Sequence, residues 1–380
     1  MKSALSSSLA SSELKESQLH FAFPRLGSAS GDSGSNTNRR LHGVVFQAGA
    51  SQGPACRSVA YSACHQGNSF PLFFSFFCII SLQVEILSFG FFLFLFLLQF
   101  KIGICQLPVT PDKERNMAHA LKAIEEAAEK GAQLVLLPEI WNSPCSNDSF
   151  PVYAEDIDAG GDASPSTVML SEVSRRLKIT IVGGSIPERY GDKLYNTCCV
   201  FGSDGKLKVK HRKIHLFDID IPGEITFTES ETLTAGESLT IVDTDVGRIG
   251  IGICYDIQFQ ELAMIYAARG AHLLCFPGAF NLTTGPLHWE LMQRRRATDN
   301  QLYVATCSPA RDIEAGYVAW GHSTIVGPFG EVLATTVYKE DIIIAEIDYS
   351  VIEQRRASLP LTKQMRGDLY QLVDIQKLHS

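Results

Sequence analysis

Three residues capable of acyl chemistry stand at the ends of apolar runs. The run "LVLLPE" closes on Glu139, "KVKHRK" closes on Lys213, and "RIGIGIC" closes on Cys254. Each is a reactive side-chain type: a carboxylate, an ammonium and a thiol that could serve as a nucleophile. Gly250, Gly252 and Cys254 alternate with Ile249, Ile251 and Ile253. Strand side chains alternate between faces, so the thiol shares a face with two glycines. Glycine inside a strand marks close approach by another group, which predicts open space beside the sulfur. The segment "YDIQFQEL" then reads as helix. A sharp strand-to-helix turn would present the thiol beside free N–H groups, as a nucleophile elbow does.

Each residue also has a plainer reading. Glu139 follows a proline and could be a surface acid. Lys213 ends a basic run, and such runs are usually solvated. A single cysteine is more often a small core residue than a nucleophile. His211 and His215 have the H-x-x-x-H spacing that puts two imidazoles on one helix face in zinc proteases. Their surroundings read as strand and loop, however, and no HExxH is present.

The elements that must position these groups are regular from Phe100 onward. "KIGICQL" reads as a buried strand. Asp112 is placed to cap a helix over "KERNMAHALKAIEEAAEK", which Gly131 ends. "AQLVLLPE" is a strand, Ser164 and Pro165 start a helix over "STVMLSEVSRRLK", and "ITIVGGSIP" is the strand after it. "LYNTCCVFG" and "KLKVKHRK" flank the turn signal Ser203-Asp204-Gly205. Beyond "RIGIGIC", a helix to Gly270 precedes strand "AHLLCFP", and a helix through "LHWELMQRRRATDN" precedes strand "LYVATCSP". "STIVGPFGEVLATT" reads as a hairpin and "DIIIAEID" as a last strand. Alternating strands and helices define an α/β layered fold. The short antiparallel pieces require mixed sheets, and two facing sheets with helices outside would bury this many apolar strands. Sites in such folds gather beyond the carboxyl ends of strands, where the three candidates sit.

The bulk composition divides the chain. Its 380 residues carry a net charge of −8. Residues 1–98 hold six basic and four acidic side chains, and the remainder holds 27 and 37. That balance gives no reason to expect a nucleic-acid partner. Ten cysteines without any C-x-x-C pair describe buried thiols in a reducing compartment, neither a disulfide framework nor a zinc ribbon. Residues 1–69 form a Ser-rich extension that reads as a transit peptide or an unstructured tail; the first would direct the chain to a plastid and the second leave it in the cytoplasm. Residues 70–98 are a Phe/Leu-rich hydrophobic segment. The stretch 70–100 contains 11 of the 22 phenylalanines. Its length suits a membrane span, which would make the chain membrane-tethered through Leu72 to Leu98. Glu85 lies inside it, and no linker separates it from the first core strand, so the segment is expected outside the working core with no membrane contact. Residues 99–350 are expected to form the catalytic domain and 351–380 a C-terminal tail.

The residues "LLPEIW", "HRKIHLFD" and "GICYDIQFQE" resemble the nitrilase superfamily of carbon–nitrogen hydrolases over about residues 100 to 350. "HLFDIDIPG", "GAFNLTTGPLHWE", "YVATCSPARD" and "AWGHSTIVGPFGEV" are similar to its omega-amidase branch in plant-type form. The resemblance implies a four-layer α-β-β-α sandwich that pairs into a homodimer. It implies Cys254 as nucleophile, Glu139 as general base and Lys213 as oxyanion partner, supported by the backbone N–H of Tyr255. Glu229, in "FTES", matches a second glutamate near the base. The implied substrates are small-molecule amides, 2-oxoglutaramate and 2-oxosuccinamate, with no metal and no organic cofactor. N-carbamoyl amidases and nitrilases would use the same three residues, and a catalytically silent binding protein would keep the fold. Gln258 stands where family members commonly carry Arg. Arg294, Arg295 and Arg296 could meet a substrate carboxylate, although at least two of them are expected to line the outer face of a helix.

Overall fold

The computed structural model describes residues 99–378. The expected extension 1–69 and hydrophobic segment 70–98 lie outside the described residues. In chain order the main elements are β1 (Gln99–Gln106), α1 (Lys113–Glu129), β2 (Leu134–Leu136), α2 (Pro165–Leu177), β3 (Thr180–Val182), β4 (Ile186–Tyr190), β5 (Lys193–Phe201) and β6 (Leu207–Arg212). A hairpin of β7 (Asp218–Ile221) and β8 (Ile225–Thr228) follows. Then come β9 (Thr240–Thr244), β10 (Gly247–Ile251), α3 (Gln260–Ala268), β11 (Leu273–Pro277), α4 (Glu290–Asn300), β12 (Tyr303–Cys307), β13 (Thr324–Val326), β14 (Val332–Thr335), β15 (Asp341–Asp348) and α5 (Ser350–Ser358).

The strands form two mixed sheets. The first runs β15-β1-β2-β3-β5, with β4 continuing beside β5 and β6 on its other edge. The second runs β14-β13-β12-β11-β10-β9. In each, a parallel centre is flanked by antiparallel strands. Side-chain alternation explains the layering. Ile102, Ile104, Leu134, Leu136, Val182, Cys198 and Val200 point to the space between the sheets and pack with Ile249, Leu273 and Val304. Their neighbours Cys105, Val135, Ile181, Cys199 and Phe201 point outward against α1 and α2, meeting Ile124, Ala127, Leu170 and Val173. Across the molecule, α3 and α4 cover the second sheet through Leu262, Tyr266 and Ala297. The result is the expected α-β-β-α sandwich.

Local chemistry sets the ends of the elements. Asp112 accepts the N–H of Arg115 at 3.0 Å and caps α1, and Pro165 opens α2. The run "ITIVGGSIP" divides into β3 and β4 at Gly184, which takes a φ of +62°. A Cβ there would lie 2.1 Å from the Pro138 carbonyl oxygen, so only glycine lets this bend pass under the segment carrying Glu139. All seven cysteines among the described residues are free thiols. The stretch expected as a C-terminal tail contributes to the body. Ile352 of α5 is fully buried, Gln301 donates to the Leu359 carbonyl at 2.6 Å, and Arg269 pairs with Asp374 at 2.6 Å. Among the described residues no helix is long and apolar enough to cross a membrane.

Candidate active site

The loop after β2 delivers Glu139, the residue after β6 is Lys213, and a short 3₁₀ turn over Cys254–Gln258 follows β10. Glu229 opens another 3₁₀ turn after the β7–β8 hairpin. Glu139, Lys213, Cys254 and Glu229 are 2–5% exposed, and all four line one small cavity with Cys145, Phe217, Phe227, Ala279 and Tyr317. The basic run around Lys213 is therefore not a solvated face. On β6 the side chains alternate. Lys210 and Arg212 pair with Glu188, while His211 and Lys213 are buried.

Lys213 Nζ lies 3.1 Å from Glu139 Oε1 and 2.8 Å from Glu229 Oε2. Asn196 Nδ2 donates to Glu139 Oε1 at 2.8 Å and to Glu229 Oε1 at 3.4 Å. The remaining carboxylate oxygens accept backbone N–H groups: Ala279 on Glu139 Oε2 and Phe217 on Glu229 Oε2, both at 2.7 Å. Burial opposes the charge on Lys213, but the two carboxylates outweigh it and hold the ammonium well above the usual lysine range. Burial raises the Cys254 thiol, Glu139 raises it further, and Lys213 only partly opposes them. The buried surroundings and the Glu139 carboxylate thus favour the protonated thiol over the thiolate.

Cys254 does not continue the strand as its alternation predicts. The face it shared with Gly250 and Gly252 is filled by Tyr266, Leu274 and Phe276, against which any added Cβ would collide at 2.4–2.8 Å. The chain leaves the β region at Cys254, with φ +47°, and this turn carries the thiol into the cavity. The open space is at the elbow, not along the glycine face. The first N–H groups of a helical turn have no acceptor within it, so the Tyr255 N–H is available beside the thiol.

The cavity around Cys254 holds only about 10 Å³, room for about one water. It shares Glu139, Cys145, Ala279 and Tyr317 with a wider pocket of about 370 Å³. The Tyr317 hydroxyl donates to the Ala279 carbonyl at 2.6 Å and fixes one wall. The charged side chains lining the wider pocket are Glu139, Asp312 and Glu314, all acidic. None of the three candidate arginines lines it, and Arg294 and Arg295 face outward as expected for at least two of them. Arg294 reaches Glu290 and the Gly330 carbonyl, Arg295 reaches Asp299, and Arg296 is buried beneath the elbow. Arg296 donates to the carbonyls of Ile257 and Gln258 at 2.8 and 2.7 Å and to Gln260 Oε1 at 2.8 Å. It braces the turn that carries Cys254.

Sequence reading missed Asn196, Asp256 and Tyr317. Asn196 was open to detection, because it shares the inward parity of Cys198 and Val200 in an otherwise apolar strand. His211 and His215 both turn to the buried carboxylate of Asp256.

A cysteine, two carboxylates and an ammonium thus lie buried in one cavity of an α-β-β-α sandwich. The chain belongs to the carbon–nitrogen hydrolase family, whose model matches residues 101–357, and it is a hydrolase acting on amides. It is 83% identical over 284 residues to the chloroplastic omega-amidase of Arabidopsis thaliana, covering 75% of this chain and 77% of that one. It is 55% identical over 271 residues to omega-amidase NIT2 of Homo sapiens, covering 71% and 96%. Among solved structures it superposes on Saccharomyces cerevisiae Nit3, a member of branch 10 of the nitrilase superfamily. The TM-score is 0.65 and the identity 46%, over 70% of this chain and 97% of that one.

Proposed function

We propose that this chain is an omega-amidase, hydrolysing the terminal amide of 2-oxoglutaramate and 2-oxosuccinamate to the 2-oxo dicarboxylic acid and ammonia. The observation that carries the reading is the ion triplet. One ammonium sits within 3.1 Å of two buried carboxylates, in the cavity that also receives the Cys254 thiol from its elbow turn. The Arabidopsis and human relatives, both omega-amidases, supply the substrate class.

Glu139 takes the proton of the Cys254 thiol as the sulfur attacks the amide carbonyl. The carbonyl oxygen becomes an oxyanion between the Lys213 ammonium and the Tyr255 N–H, a pre-set electrostatic site with water excluded. The intermediate collapses as Glu139 returns the proton to nitrogen. Ammonia leaves and a thioester remains. Glu139 then takes a proton from water, hydroxide adds to the thioester, and the acid departs as the thiol is re-formed. Glu229 holds the ammonium from the side opposite Glu139 and leaves Glu139 free to cycle its proton. No metal or organic cofactor takes part.

The test is ammonia release by the full chain from 2-oxoglutaramate, N-carbamoyl compounds and nitriles compared side by side. Preferred turnover of a nitrile or an N-carbamoyl compound would reassign the substrate. Cys254→Ala should abolish release, and hydroxylamine added to wild-type enzyme should divert the thioester to a hydroxamate. The homodimer is expected to show as twice the chain mass in light scattering. Residues 1–69 are expected to carry a fused reporter to plastids. Peptide mass spectrometry of native protein should not recover residues 70–98, with 99–350 as the catalytic domain.

A further inference from the structure

His211 and His215, whose spacing suggested a metal pair, both bond to Asp256. This carboxylate is fully buried and accepts four N–H groups. Oδ2 takes Ile253 N at 2.9 Å and His211 Nε2 at 3.2 Å, and Oδ1 takes His215 N at 2.9 Å and His215 Nδ1 at 2.8 Å. The other nitrogen of His211 meets the Thr240 hydroxyl at 2.8 Å, and the His215 ring stacks on Phe259 at 3.6 Å. Burial disfavours a charge on Asp256, yet the imidazole and Ile253 N–H groups overcome it and hold the carboxyl below its usual range.

The partners come from two sheets. His211 and His215 stand two residues before and two after Lys213, the first on the edge strand β6 of the first sheet and the second in the segment that leaves it. Ile253 and Asp256 bracket Cys254 at the end of β10 in the second. One carboxylate therefore grips the two chain segments that carry Lys213 and Cys254, and two of its four bonds are to their backbones. We propose that Asp256, with His211 and His215, forms a positioning clamp that sets the Lys213 ammonium against the Cys254 sulfur and the Tyr255 N–H. The clamp rests on the roles given to Lys213 and Cys254 above. It touches neither substrate nor reacting atom and acts only through those residues.

The test uses the full chain and two readouts. The first is kcat and KM for ammonia release. The second is the pH midpoint of Cys254 alkylation by iodoacetamide, followed by peptide mass spectrometry. Misplacing a reacting group by about 1 Å costs about 10²-fold in rate. His215→Ala, at a partly exposed ring, should fold normally and lower kcat at least about tenfold with KM within about twofold. His215→Asn keeps an N–H donor near the Nδ1 position and should restore most of the rate. Asp256→Asn should cost about 10²-fold in kcat. Glu139 and Lys213 are the charged groups that face the sulfur, and Lys213 favours the thiolate. The alkylation midpoint should therefore rise in each clamp variant and in Lys213→Met, and rise no further when Asp256→Asn and Lys213→Met are combined. Wild-type kcat in His215→Ala, equal damage in His215→Asn and His215→Ala, or midpoint shifts that simply add in the double variant would each overturn the clamp. If Asp256→Asn does not fold, the His215 pair still decides. The alkylation readout needs no substrate. A wild-type chain that releases no ammonia from the amide would sink the omega-amidase reading while leaving the clamp to be judged on its midpoints.

Discussion

Replacing Lys213 with Met separates the two jobs of the buried ammonium. The side chain is 2% exposed and keeps nearly its volume as Met, so the change removes charge rather than packing. At about 3 Å and an effective dielectric of about 20, each carboxylate contact is worth about 5–6 kcal/mol of attraction before desolvation is subtracted. Removing one partner of a buried pair costs about 3–5 kcal/mol, because the other charge stays behind without compensation. Here Glu139 and Glu229 both stay behind, so the upper part of that range is expected. For a domain of this size such a loss lowers Tm by about 6–20 °C. Catalysis should suffer separately, since losing one oxyanion partner costs about 10²–10³-fold in kcat. The sign with pH follows from the lysine. Its folded pKa is raised above the unfolded value, so its stabilising contribution is fully present below the unfolded pKa and is lost only as pH rises through the folded one. The stability gap between wild type and variant should therefore be flat from pH 7 to 9. Urea unfolding at three pH values, with ammonia release at saturating amide, measures all of this. A variant with wild-type stability, or a gap that closes by pH 9, would refute a charged lysine between two carboxylates.

Glu139→Gln should abolish hydrolysis yet make Cys254 easier to alkylate. Glu139 raises the thiol pKa, so its removal should shift the iodoacetamide midpoint to lower pH, and an unchanged or higher midpoint would contradict the assigned contact. Arg296→Lys should cost about 1–3 kcal/mol in urea unfolding, because a lysine cannot satisfy the Ile257 and Gln258 carbonyls and Gln260 at once. The wider pocket presents Asp312 and Glu314 without a lining cation, so KM for anionic 2-oxoglutaramate should fall as salt rises from about 0.02 to 0.3 M. A KM that climbs with salt would place an attracting cation at the pocket.

What was legible in the chain follows from the range of each signal. Apolar runs and their turn signals are local, so the strands could be read, and their number called for two facing sheets between helices; β1, β2 and β5 supply both faces of the first sheet. Caps are local too, and Asp112 and Pro165 stand where their chemistry placed them. The break between β3 and β4 was hidden because the constraint on Gly184 comes from the Pro138 carbonyl, 46 residues earlier. The glycine face of β10 was misread for the same reason. A glycine in a strand announces close approach without naming the visitor, and here the visitors are Tyr266, Leu274 and Phe276 rather than a ligand. The three arginines on α4 looked alike in sequence, but only burial shows that Arg296 serves the elbow while its neighbours face outward. The site itself joins Glu139, Lys213 and Cys254 across 115 residues and two sheets. Strand ends say where such residues can sit, but register decides whether they meet. Asn196 and Asp256 carry that register. Each is a polar side chain inside an apolar interior, bonded to groups from more than one segment. In a chain of this kind the inward polar residues beside the candidate nucleophile and ammonium predict which strand ends converge better than the reactive residues themselves.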